Sequence, residues 1–314
     1  MNKITIIGSG AVGSTIAYTL TTLGLASEIV IIDINGEKAL GEALDIRQGT
    51  PFCSPCNIYA GLYCDAVDSD IVIITCGIAR KPGQSRLDLA QTNVNILKAI
   101  TPEITKYAPN AMYVIVSNPV DVLTYAFTKF SGIPEEHIIG SGTILDTARL
   151  RARISEYYRV NQQNIHAYVL GEHGDTAVVP WSIANISNVP VEDYGKSLNH
   201  ADGFYPEFKK NEVEEFVRKS GGRVIRRKGA TYYAISMSVC HLCKCLLSGI
   251  DTSLTVSTMV HGEYGLDDVA LSLVNIVGKN GIHGKIMVPL TDAEIADLHH
   301  SADSLKAVIN SIEI

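Results

Sequence analysis

The stretch KITIIGSGAVG, Lys3 to Gly13, constrains this chain more than any other. A β-branched run leads into Gly8, Gly10 and Gly13 in G-x-G-x-x-G order, and a helical pattern begins at once. Glycine-rich turns are common, so the spacing alone says little. The context says more: EIVIID, the next strand-like run, ends on Asp33, twenty residues past Gly13. A strand, a glycine turn, a helix and an acid closing the second strand are the parts of a dinucleotide-binding βαβ unit. Gly8 would make the tight turn, Gly10 would let the backbone approach a pyrophosphate, and Gly13 would let helix and strand pack closely. Asp33 would accept hydrogen bonds from ribose hydroxyls and repel a 2′-phosphate, which favours NAD over NADP.

The rhythm continues. DIVIIT (70–75) and AMYVIVS (111–117) read as buried strands and HIIG (137–140) as a short one, with helical patterns near 11–23, 36–48 and 85–107. Such runs alternating with helices predict a parallel sheet covered on both faces. The second half is less regular. It suggests a helix over 146–160 and a strand over 165–175 that enters a glycine-bracketed turn. Next come a helix that breaks at Gly221 and Gly222 into a basic loop ending in Arg226–Lys228, and a long apolar helix over 230–249. Strands with glycine turns then lead to a C-terminal helix capped by Thr291. The fold class is therefore α/β: a doubly wound parallel sheet over 1–142 and a mixed α/β unit over 143–314.

With 46% hydrophobic and 19% charged residues, 314 residues can bury a substantial core. A net charge of −7 without long like-charge runs argues against nucleic acid or an anionic membrane as partner. No apolar run of about eighteen residues offers a membrane span. MNKITIIGSG does not read as a signal peptide, and seven cysteines without an export signal read as reduced thiols of a cytoplasmic protein. Cys53 and Cys56, and Cys240 and Cys243, have C-x-x-C spacing but lack a supporting Cys/His pair. The second pair falls in the apolar helix, where cysteine acts as a small hydrophobe, so no metal site is expected.

Three further stretches carry chemistry. GEHGD sets His173 on a glycine-bracketed turn, LDTAR spaces Asp146 and Arg149 three apart on one helix face, and CGIARKPGQSR puts Arg80 and Arg86 on a basic loop. An acid–base histidine needs a carboxylate to fix its tautomer and stabilise its cation. A substrate carboxylate suits a rigid, bidentate arginine, and a carbonyl under reduction needs a cation where charge builds on oxygen. Together with GSGAVG, VSNPVD and KGATYYAI, these motifs make the chain resemble the lactate/malate dehydrogenase family over essentially its full length. The resemblance implies a Rossmann domain, an α/β substrate domain, and hydride transfer between NAD and a small 2-oxo/2-hydroxy acid. It implies His173 as proton donor and acceptor, Asp146 as its orienting partner, Arg149 on the substrate carboxylate, and Arg86 polarising the carbonyl from a mobile loop. Asn118 is expected at both substrate and nicotinamide, and Val12, Thr75 and Gly77 join the glycines and Asp33 around the cofactor.

Within the family, Arg80 is the position that selects substrates. An arginine there resembles the malate branch, where it meets a second carboxylate. Glu172 and Thr231 resemble the lactate branch, with Thr231 in the substrate pocket. Gln84 departs from the acidic residue common in that branch. Arg151, two residues past Arg149, and His166, seven before His173, resemble a cationic pair that binds fructose bisphosphate at a subunit interface. The expectation is the lactate branch, with malate as the alternative, fructose bisphosphate as an effector, and a homotetramer or homodimer. A non-catalytic NAD sensor would be expected to have lost one of the four charged groups, and all four are present.

Overall fold

The computed structural model describes residues 2–78, 86–198 and 207–314, with Arg86 described in its backbone alone. Six parallel strands, β1 (Lys3–Ile7), β2 (Glu28–Ile32), β3 (Asn57–Ala60), β4 (Ile71–Ile74), β5 (Met112–Ile115) and β6 (Ile138–Gly140), form one sheet in the order β3-β2-β1-β4-β5-β6. That order reverses between β1 and β4, the point at which such sheets open a crevice for a ligand. Four helices cross between strands: α1 (Ala11–Leu23), α2 (Gly36–Gly49), α3 (Arg86–Tyr107) and α4 (Val120–Ser131). Alternate residues of each strand face opposite sides. Ile4, Ile6, Ile29 and Ile31 join one core with Ile16 and Leu20 of α1. Ile7, Val30, Val72 and Ile74 join another with α3 and α4. Strands buried on both faces need no polar alternation, hence the continuous isoleucine and valine runs.

The rest comprises α5 (Ile144–Tyr158), β7 (Ile165–His166), β8 (Asn185–Ile186), β9 (Val189–Pro190), α6 (Val191–Ser197), α7 (Lys210–Lys228), α8 (Tyr233–Leu246), β10 (Thr252–His261), β11 (Asp267–Gly278), β12 (Gly281–Lys285) and α9 (Asp292–Ile309). The antiparallel ribbon β10–β11–β12 extends the parallel sheet through pairing of Ser257 with Gly140, giving nine strands among the described residues. A smaller core of Leu150, Ile154, Tyr158, Val213 and Val217 joins α5 to α7. Thr291 caps α9 as expected, in a reciprocal box with Glu294. No described helix is long and apolar enough to cross a membrane.

Two expectations change. The break at Gly221–Gly222 and the basic loop after it are instead one continuous helix, α7. Each interior glycine costs about 1 kcal/mol relative to alanine. Buried Val213 and Val217, with the i,i+4 pairs Glu214–Arg218 and Glu215–Lys219, carry the helix through. The strand expected over 165–175 pairs regularly only at Ile165–His166. Beyond it, hydroxyls from the start of α5 take the place of a ladder: Val169 N–H donates to Thr147 Oγ1 at 2.9 Å, and Thr143 Oγ1 donates to the Val169 carbonyl. Cys240 and Cys243 are fully buried in α8, and burial pushes the Cys240 thiol up to about 12.

Candidate active site

The glycine turn sits at the sheet's switch point. Gly8 has φ +106°, and a Cβ there would lie 2.8 Å from Thr75 Oγ1 and the Cys76 nitrogen. A Cβ on Gly13 would fall 1.9 Å from the Gly8 carbonyl oxygen, so α1 can approach β1 only with glycine at that position. Gly10 differs: its Cβ would meet nothing within 4 Å. It is the N-cap of α1, without a side-chain cap and without an acid in the first turn. The positive end of a thirteen-residue helix therefore faces open space, which suits a pyrophosphate.

Asp33 follows β2 directly. Its Oδ2 accepts from Ser9 N–H at 2.6 Å and Ser9 Oγ at 2.9 Å, and its Oδ1 accepts from Asn35 N–H at 2.9 Å. Burial works to raise this carboxyl, but the Asn35 and Ser9 donors outweigh it and hold the group below its usual range. Thr75 Oγ1 donates to the carbonyls of Ile7 and Gly8, so its hydroxyl holds the glycine turn. Gly77 (φ +153°) lies against Asn93, whose Nδ2 donates to the Asn118 carbonyl at 2.7 Å. Asn118 itself is exposed, past the carboxyl end of β5, and Val12 lies in the first turn of α1. The open helix end and the ionised acid beyond β2 fit a dinucleotide with a free ribose 2′-hydroxyl.

The second group is built on α5. Asp146 and Arg149 lie one turn apart, and the largely buried carboxylate of Asp146 bridges two cationic partners. Its Oδ2 is 2.5 Å from His173 Nδ1, and its Oδ1 accepts from Arg149 Nη1 at 2.9 Å. Burial alone would lower the His173 pKa, but the charge of Asp146 and its hydrogen bond outweigh this and hold it above 6.5. For Asp146, burial is likewise outweighed, by His173 and then Arg149, and its carboxyl stays below the usual range. With Nδ1 turned to Asp146, the other ring nitrogen, Nε2, is left to exchange a proton with a ligand. Only one of the five guanidinium N–H donors of Arg149 goes to Asp146. A Cβ on Gly221 of α7 would lie 4.0 Å from Arg149 Nη2.

Of the remaining candidates, Thr231 lies in the loop that enters α8. Arg151 donates from Nε to the Ala167 carbonyl at 3.0 Å and stacks over Tyr168, and His166 of β7 is exposed. The side chain of Arg86, and all of Arg80 and Gln84, lie outside the described residues.

Several residues at the site were not singled out from sequence. Ser9 holds Asp33, and Asn93 ties Gly77 and Ile78 to Asn118. Glu172 curls back, accepting from Thr176 Oγ1, while its N–H donates to Ser301 on α9. Asp121 accepts from the His173 N–H. Glu172 was read from sequence only as a lactate-branch marker, and Ser9 and Asp121 fall inside the quoted GSGAVG and VSNPVD; Asn93 had no signal.

Residues 2–140 match the lactate/malate dehydrogenase NAD binding domain, and 143–313 match the lactate/malate dehydrogenase alpha/beta C-terminal domain. An L-lactate dehydrogenase of Acetivibrio thermocellus is 45% identical over 314 residues, covering 100% of this chain and 98% of the relative. One of Thermoanaerobacter pseudethanolicus is 46% identical with 100% of both chains covered. The solved structure of a minor L-lactate dehydrogenase from Enterococcus mundtii superposes with a TM-score of 0.93 at 37% identity, covering 100% of this chain and 99% of the other. With these matches spanning both the glycine turn and the Asp146 bridge, the chain belongs to the lactate/malate dehydrogenase family and is an NAD-dependent 2-hydroxy acid dehydrogenase.

Proposed function

We propose that this enzyme is an L-lactate dehydrogenase that reduces pyruvate to L-lactate reversibly. The observation that carries the reading is the Asp146 bridge, which holds an acid–base histidine and an arginine side by side. Gly8, Gly10, Val12, Gly13, Asp33, Thr75, Gly77 and Asn118 would hold the cofactor. When bound, NADH supplies the hydride for the carbonyl carbon. His173 gives its Nε2 proton to the carbonyl oxygen, and Asp146 stabilises the cation before transfer and fixes the tautomer after it. Arg149 grips the carboxylate with its remaining donors, and Arg86 offsets negative charge on the oxygen. Thr231 bounds a pocket for the methyl group. The division into a cofactor domain, 1–142, and a substrate domain, 143–314, follows from these two groups of residues.

The names of the full-length relatives support lactate as the substrate. Arg80 favours the second reading, malate dehydrogenase, because a cation near the substrate side chain calls for a second carboxylate. Arg151, bonded to the Ala167 carbonyl, and the exposed His166 that precedes Ala167 in sequence support a fructose bisphosphate site. An apolar cavity of 440 Å³ is lined by Leu145, Tyr168, Leu254 and the exposed Met237. It supports a second copy of the chain as its cover, in a homodimer or homotetramer of the cytoplasm. The deciding experiment compares kcat/KM for pyruvate and oxaloacetate, with and without fructose bisphosphate, and sizes the protein by light scattering. Pyruvate should be the better substrate. A preference for oxaloacetate beyond about a thousandfold, roughly 4 kcal/mol, would make this a malate dehydrogenase.

A further inference from the structure

We infer that Asp121 is a positioning residue for His173, a buried carboxylate that anchors the catalytic turn and favours the protonated ring; this rests on His173 being the proton donor. Asp121 opens α4 and is 2% exposed. Its Oδ2 accepts from the His173 backbone N–H at 2.8 Å, and its Oδ1 accepts from Ser257 Oγ, on β10, at 2.6 Å. The turn is held at two more points: Gly171 exchanges both backbone bonds with Ser272 of β11, and Glu172 N–H donates to Ser301 Oγ of α9. Three elements thus grip three successive residues, and only one of the grips carries a charge.

That charge needs a reason. A serine hydroxyl or a carbonyl would accept the same N–H without the desolvation penalty of a buried carboxylate. Among the described residues, no lysine or arginine is a partner of Asp121, and the groups that face it are His173 and Glu172 from the turn and the neutral Ser257 from β10. Asp146 and Arg149 act on the same ring from α5. What a carboxylate adds over a neutral acceptor is a second negative charge near the imidazolium, behind the ring's backbone rather than at Nδ1. Burial pushes the Asp121 carboxyl up to about 6, against the pull of Ser257 and the His173 N–H, so it is ionised at neutral pH. Below that it takes up a proton and the effect on His173 fades.

The test is the pH profile of pyruvate reduction by the whole enzyme. In Asp121→Asn, turnover should fall by about tenfold, a part of the ~10²–10⁴ that an acid–base group contributes. The alkaline limb should move to lower pH by about one unit, as when a nearby opposite charge is removed. The dissociation constant for NADH, titrated by fluorescence, should hold within about twofold, under 0.5 kcal/mol. Ser257→Ala leaves the carboxylate but removes one of its donors. It should move the acid limb of the profile to higher pH, and it serves alone if Asp121→Asn does not fold. An alkaline limb unmoved in Asp121→Asn, or an acid limb unmoved in Ser257→Ala, overturns the inference. A wild-type enzyme that reduces no 2-oxo acid overturns instead the reading of His173 on which it rests.

Discussion

Replacing Asp146 with asparagine keeps the shape of the site and removes the charge that joins His173 to Arg149. Two unit charges about 4 Å apart, partly screened, attract by about 4 kcal/mol. The ring is 29% exposed and Arg149 competes for the same carboxylate. The share that reaches His173 is then about 2–3 kcal/mol, a factor of roughly 30–160 in its protonated population. An asparagine can also present its amide to Nδ1 and admit the wrong tautomer, so pyruvate turnover at neutral pH should fall by about 10²–10³. The direction with pH is fixed. The His173 pKa is raised in the wild type, so reduction, which needs the protonated ring, persists above pH 6.5 and is lost as pH rises through the raised value. Lactate oxidation, which needs the neutral ring, rises through that same pH. In Asp146→Asn both limbs move to lower pH, and acidification restores part of the reduction rate. NADH absorbance gives turnover, and NADH fluorescence gives cofactor affinity, which should be nearly unchanged. A loss in turnover below about fivefold, under 1 kcal/mol, with an unmoved profile would refute the reasoning. So would a fall in NADH affinity as large as the fall in rate.

The glycine turn offers a paired test. Gly13→Ala sets a methyl 1.9 Å from the Gly8 carbonyl oxygen and should destabilise the protein by about 1–3 kcal/mol or more, read as a lowered Tm. Gly10→Ala meets no protein atom within 4 Å, so Tm should hold while NADH affinity falls by about tenfold; an unchanged affinity would show that the cofactor does not fill that space. Arg80→Gln should lower kcat/KM for oxaloacetate by roughly 10- to 150-fold, one charge-assisted bond, and leave pyruvate unchanged or improved. Equal losses with both substrates would mark Arg80 as a general attractor of anions.

Which parts were legible from sequence follows from how local their causes are. β1, β2, β4 and β5 announce themselves because each is a run of β-branched residues between polar ends, and Gly8, Gly10 and Gly13 act within six residues of one another. α4 escaped notice because Val120 to Phe127 are all buried. A helix wrapped in core on every side has no polar stripe, and the helical period vanishes. Asp121 lies in the quoted VSNPVD, but its burial and its bond to the His173 N–H were hidden with the helix. Gly221 and Gly222 read as a break because propensity was visible and the packing of Val213 and Val217 was not. The meeting of Asp146 with His173 spans 27 residues and depends on Thr143 and Thr147 holding the backbone at Val169. Nothing in local spacing encodes that, so the motifs' family resemblance had to supply the pairing.

The seam between the two halves has a mechanical consequence. Residues 138–147, through which the chain passes from one half to the other, are buried without interruption. Gly140 is laddered to Ser257, Thr143 N–H donates to Ser272 Oγ, and Ser257 Oγ donates to Asp121. An enzyme that closes on its substrate like a jaw needs a pliable joint between its lobes. Here the joint is replaced by the interior of a sheet, and swinging one half against the other would tear hydrogen bonds that water cannot reach. The scaffold therefore behaves as a single stiff plate with the glycine turn at one part of its edge and His173 at another. The distance between the glycine turn and His173 is set once, when the chain folds, and whatever adjusts to a ligand must do so segment by segment along that edge.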